Sequence, residues 1–118
     1  MNILYDFNLK KDSILKNYKI DKFKNDNLKY SFNNIEQGNN SVSETFILSA
    51  GSDYFKNEIN CNLNGEYSSA FINGVFSLKK NQQHEIRTTI NHLVENTKSY
   101  QLIKSVLGKN SKSAYQGK

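Results

Sequence analysis

The stretch from Asn57 to Leu78, "NEINCNLNGEYSSAFINGVFSL", decides how the chain is to be read. Ile59, Cys61 and Leu63 share one face of its first half, and Glu58, Asn60, Asn62 and Asn64 share the other. After Asn64-Gly65 the alternation resumes with Ala70, Ile72, Phe76 and Leu78 on one parity and Gly74 between them. A period of two is the signature of a half-buried strand, because successive side chains leave a pleated backbone on opposite sides. Asn and Gly between two such runs mark a corner, since both tolerate left-handed backbone.

The same unit recurs in both directions. "LKYSFNNI", "SETFIL" and "HEIRTTINH" read as strands, the last with Ile86, Thr88 and Ile90 facing one way. Ser41 and Glu44 have capping-box spacing, yet the Thr-Phe-Ile-Leu that follows suits a strand better. "YQLIKSVL" stays open between strand and helix, because Tyr100, Ile103 and Leu107 also fit a helix face. Segments begin near Leu28, Ser41, Tyr54, Ser68, Gln83, Thr97 and Ser111, a nearly even spacing. Evenly spaced strands with Asn/Gly corners fit a meander or sandwich, and equally a coiled solenoid.

The 118 residues suffice for one domain with a modest core. No apolar run approaches the roughly 20 residues that span a bilayer, and the N-terminus has the wrong charge order for a secretory signal. A single cysteine excludes an internal disulfide and fits a reducing compartment, so a cytoplasmic location is expected. The net charge of +5 is unevenly spread: residues 1–30 balance at +3, residues 31–75 at −4 and residues 76–118 at +6. Fifteen of the sixteen basic residues are lysine, which weakens a nucleic-acid reading because arginine is the better fork for phosphates and bases. Eighteen asparagines beside so many lysines are also what an AT-rich genome would produce without functional pressure.

Self-contained chemistry is hard to find. There is no phosphate loop, no HExxH, no paired-cysteine motif and no nucleophile elbow. Cys61 with His84 or His92 offers a formal thiol–imidazole pair, but Cys61 alternates in phase with Ile59 and Leu63, like a buried small hydrophobe. One Cys and two His lack the count and spacing of a zinc site. His92 keeps the parity of Ile86 and Ile90, which aims it inward, where a satisfied core histidine is commoner than a ligand. Lys104 stands among apolar neighbours, the usual setting of a lysine that extends its head to water.

The pattern His92, Asn96-Thr97, Ser99, Gln101, Lys104 and the closing "YQGK" resembles the central region of the SufB/SufD family, scaffold components of the Suf iron–sulfur assembly system. "LKNYKID", "NSVSETFILSAG" and "YFKNEINCNLNGEYSS" are similar to the SufD branch more than to the SufB branch. The resemblance spans nearly the whole chain. It implies an all-β fold, a right-handed parallel β-helix, here partial and truncated at both ends, over residues 1–118. Family members add a helical N-terminal region, further coils, a Cys-Ser-His-Gly segment and a C-terminal helical region.

The implied role is that of a non-enzymatic scaffold subunit in a SufB–SufC–SufD complex that supports cluster assembly and iron acquisition. A SufB-like subunit would pair through the β-helix, and a SufC-like ATPase would engage the C-terminal region. No catalytic, cofactor-binding or metal residue is expected here, and the cluster belongs to the complex. Asn96-Thr97 should make a corner, and Ser99 and Gln101 should satisfy backbone groups near it. His92 and Lys104 are the two polar candidates for the helix interior or the SufB-facing side. The rival from another class is a small basic β-rich module binding RNA or single-stranded DNA, motivated by the +6 C-terminal third with Tyr100 and Tyr115. A cut β-helix would also expose strand edges and self-associate.

Overall fold

The computed structural model describes residues 2–22 and 25–118, with side chains from residues 2–22 and 28–118. Period-two alternation becomes nine strands: β1 (Asn2–Leu9), β2 (Ile14–Asp21), β3 (Asn25–Gln37), β4 (Val42–Ser49), β5 (Ser52–Leu63), β6 (Ser69–Leu78), β7 (Gln83–His92), β8 (Lys98–Leu107) and β9 (Lys112–Gly117). No helix occurs among the described residues. Odd strands form one sheet in the order β1-β3-β5-β7-β9, and even strands form a second, β2-β4-β6-β8. Every pairing is parallel. Consecutive strands therefore belong to opposite sheets, and the chain winds as a β-solenoid of about four turns. The sandwich alternative is excluded, because a meander pairs sequence neighbours antiparallel.

The even spacing seen in the sequence is half a coil, so a strand pairs with the next but one. Down the odd sheet the register steps from Phe7 to Ile35, Cys61 and Ile90. Down the even sheet it steps from Ile14 to Val42, Ser69 and Lys98. These steps are unequal, so coil length drifts, yet apart from one register shift between Asn25 and Leu28 the inward parity holds and the inward residues stack in columns. The core is Ile35, Ile47, Ile59, Cys61, Leu63, Ala70, Ile72, Phe76, Leu78, Ile86 and Ile90. Each large aliphatic or aromatic side chain so enclosed contributes about 1.5–3 kcal/mol relative to exposure. "YQLIKSVL" is strand, because only an extended backbone can continue the ladder that β6 offers to β8.

Six corners follow one recipe. Asp12, Asn40, Tyr67, Asn81, Asn96 and Asn110 hold φ between 56° and 64°. A hydroxyl or amide residue comes next in each case: Ser13, Ser41, Ser68, Gln82, Thr97 and Ser111. Ser41, Ser68 and Ser111 each return their Oγ to the carbonyl three residues earlier, on Gly38, Gly65 and Gly108, at 2.8, 2.6 and 2.7 Å. The left-handed N–H points along the stack instead, Asp12 to Asn39 O at 3.0 Å and Asn40 to Glu66 O at 2.9 Å. The expectation that Asn and Gly alike supply the left-handed backbone is corrected for glycine, since no described glycine has positive φ. Glycine sits where coils touch: a Cβ on Gly65 would lie 2.1 Å from the Asn39 amide nitrogen.

Candidate functional site

The solenoid interior is not uniformly apolar. Gln37, at the inner end of β3, accepts from Ser43 Oγ at 2.8 Å and donates through Nε2 to Ser69 O at 2.9 Å, with Ser41 also in reach. His92 occupies the same column two coils on, through Gln37–Leu63–His92. Its Nδ1 meets Thr97 Oγ1 at 2.6 Å and its Nε2 meets Ser99 Oγ at 3.0 Å. Thr97 follows a left-handed corner residue as Ser41 does, and Ser99 stands in the column of Ser43 through Ala70. The parity reading of His92 thus describes its direction, although the residue is exposed at the end of β7.

Lys104 is elsewhere. It pairs with Val75 on the outer parity of the even sheet and is exposed, so it does not line the interior and is not brought near the His92 group. Asn96-Thr97 makes the expected corner. Ser99 and Gln101 depart from expectation, because they bind side chains and not backbone: Ser99 holds His92, and Gln101 Oε1 accepts from the Thr88 and Tyr115 hydroxyls. These two residues point inward across the coil, where the facing strand offers side chains. Cys61 is fully buried, and burial pushes its thiol up to about 12 against the weaker opposing effect of a Ser43 hydrogen bond. Neither histidine bonds it.

A second polar group was missed in the sequence. Asp21, buried at the end of β2, accepts from Gly51 N at 3.2 Å, Ser52 N at 3.0 Å and Ser52 Oγ at 2.8 Å, with Lys29 Nζ at 3.6 Å. His84 is 1% exposed and bridges the sheets: Nδ1 lies 2.5 Å from Ser49 Oγ, and Nε2 lies 2.5 Å from the Ser52 carbonyl oxygen. A carbonyl can only accept, so Nε2 carries the proton and Nδ1 accepts from Ser49. Burial lowers the imidazole below its ordinary value, against smaller opposing effects from Ser52, Asp21 and Asp53, and keeps it neutral. Gln82 closes the group by donating to Gly51 O at 3.0 Å and Ser52 O at 3.1 Å.

Asp, Ser and His in contact suggest acyl chemistry, but the connections are wrong for it. The carboxylate orients Ser52, not the imidazole, and the hydroxyl facing the imidazole belongs to Ser49, itself 1% exposed. The group fastens the Ala50-Gly51 corner instead. His84 shares the inward phase of Ile86 and Ile90, so parity was the signal that could have found it.

The outer faces differ sharply. The odd sheet carries polar ladders, with Asn34 donating to Asp6 at 3.3 Å, Asn60 to Asn34 at 2.8 Å and Asn91 to Asn62 at 2.7 Å. The even sheet carries the columns Tyr18–Phe46–Asn73–Leu102 and Ile20–Leu48–Val75–Lys104. Among the described residues no three His, Cys, Asp or Glu gather in a metal-holding arrangement.

This architecture defines a repetitive all-β protein whose interior sets hydrogen-bonded polar groups beside apolar columns. A family model described as the SufBD core domain of SUF-system FeS cluster assembly matches residues 1–118. The chain belongs to that family and is involved in iron–sulfur cluster assembly. No curated protein and no solved structure matches it significantly.

Proposed function

We propose that the chain is the β-helix portion of a SufD-like scaffold, pairing with a SufB-like subunit in a complex that also recruits a SufC-like ATPase. It works in the cytoplasm without catalysis of its own, and the cluster is the cargo of the complex. The observation that carries this reading is the outer face of the even sheet. Tyr18, Leu102 and Val106 stand exposed there beside Phe46, Leu48 and Val75, while the opposite sheet carries asparagine ladders beside its own exposed Leu4, Leu28 and Tyr54. An apolar face this extensive is the kind that a protein partner covers. Lys104 lies at its margin, which favours the partner-facing role for that residue over an interior one. His92, bonded as Gln37 is, serves the coil itself.

Co-expression with SufB-like and SufC-like subunits tests this. A single complex should co-purify, and Tyr18→Asp with Leu102→Asp should release the SufB-like subunit without changing the melting temperature. Failure of the unmodified chain to associate would overturn the proposal. Any binding of single-stranded nucleic acid should lack the steep salt dependence that phosphate contacts impose.

A further inference from the structure

The first coil borders a half-open cavity of about 340 Å³ whose walls include Tyr5, Asn17, Lys19, Lys29, Ser31 and Phe55. Its polar inventory is one-sided. Among the described residues no aspartate or glutamate lines it. Asn17 is 8% exposed, and its Nδ2 has no hydrogen-bond partner, which leaves a buried donor unsatisfied. Lys19 occupies the inward parity of β2, in the column of Ile47, Gly74 and Ile103, where every other occupant is apolar or glycine. Its Nζ rests 3.0 Å from the centroid of the Tyr5 ring, and among the described residues no carboxylate lies within ion-pair distance of it.

Lys29 enters the same cavity from β3. Its Nζ is 3.6 Å from Asp21 Oδ1, but that oxygen already accepts from Ser52 Oγ and its twin accepts two backbone N–H groups. The carboxylate is therefore committed to the corner, and the ammonium keeps donors to spare. Ser31 adds a hydroxyl whose oxygen accepts from Asn33 at 3.3 Å, so its own proton is available.

We propose that this cavity binds a small oxyanion, held by Asn17 Nδ2, the Lys19 and Lys29 ammonium groups and the Ser31 hydroxyl, with the Tyr5 and Phe55 rings as side walls. The volume sits at the small end of ligand pockets and admits a phosphate-sized or short carboxylate ion together with water. Charge-assisted donors lining one partly desolvated cavity are the setting that such ions require. Burial lowers Lys19 to about 8, the behaviour of an ammonium group lacking its counter-ion. The donors stand on the inward parity of the first coil, while Tyr18 and Ile20 of the outer face form the rim of the cavity.

Titration of the full chain at constant ionic strength, once with inorganic phosphate and once with acetate, followed by NMR of the lysine and tyrosine side chains, tests the proposal. Saturable shifts confined to Tyr5, Lys19 and Lys29 are expected for at least one ion. Saturation by both identifies a general oxyanion site, and saturation by acetate alone identifies a carboxylate site. Lys19→Gln and Asn17→Ala should each weaken binding about tenfold or more, while the exposed corner variant Lys109→Gln should not. Two variants guard against one failing to fold. Shifts that never saturate, or equal weakening by Lys19→Gln and Lys109→Gln, would mean only general charge attraction and overturn the site.

Discussion

Gln37 and His92 are equivalent positions in two different coils. They share a column, with Leu63 between them, and each reaches across to the hydroxyl residue after a left-handed corner and to the hydroxyl two positions further on. The His92 position therefore asks for a bifunctional polar side chain and not for an imidazole. His92→Gln should leave stability and complex formation unchanged. Gln37→Leu should cost about 1–3 kcal/mol by leaving the buried Ser43 hydroxyl without its acceptor. Urea denaturation of the two variants checks this, and a large loss of cluster yield with His92→Gln in an intact complex would reverse the reading.

The buried neutral His84 sets an acid limit. Its folded-state value lies below the ordinary 6.5, so as pH falls through 6.5 the unfolded chain takes up a proton that the folded chain refuses. Stability is thus fully present above 6.5 and declines below it, by up to about 1.4 kcal/mol per pH unit for one proton. Denaturant midpoints between pH 7.5 and 5.5 should show the decline, and His84→Asn should flatten it.

Tyr67 is an aromatic residue at a corner that elsewhere uses Asn or Asp, with φ of 62° and 66% exposure. Its ring contributes little to the core, while its Cβ bears the left-handed penalty. Tyr67→Asn should stabilise the chain by roughly 0.5–1 kcal/mol, and Asn40→Ala should destabilise it by a similar amount. Thermal melts of both variants measure the pair. Equal effects in the same direction would contradict the corner argument.

Cys61 should be inert in the folded chain. A thiol at about 12 is ionised at pH 8 to the order of one part in ten thousand, and it is also fully covered. A chromogenic thiol reagent should report no reaction until denaturant is added. Immediate labelling in native buffer would place Cys61 at the surface and undo its assignment to the core.

Much of this was legible in residues. The alternation of Ile59, Cys61 and Leu63 marked the inward face, and the even spacing of the corners marked the half-coil. Periodicity alone could not separate solenoid from sandwich, because a strand's inward face looks alike whether its partner is the next strand or the next but one. Asp21, Ser49, Ser52 and His84 were illegible as a group, since they lie on four strands and meet only through the coil repeat. The asparagine excess, readable as genome bias, has structural employment too. Asn40, Asn81, Asn96 and Asn110 turn corners, and Asn34, Asn60, Asn62 and Asn91 form ladders.

The drifting coil length has an evolutionary corollary. Coils of unequal length coexist while the inward columns, past the one register shift between Asn25 and Leu28, stay in register. A codon gained or lost at a corner shifts nothing but the corner. The same codon inside β5 would turn Ile59 and Leu63 toward water and bring Asn60 and Asn62 into the core. Related chains should therefore record their history of insertions and deletions at Asp12, Asn40, Tyr67, Asn81, Asn96 and Asn110, with strands of constant length between them.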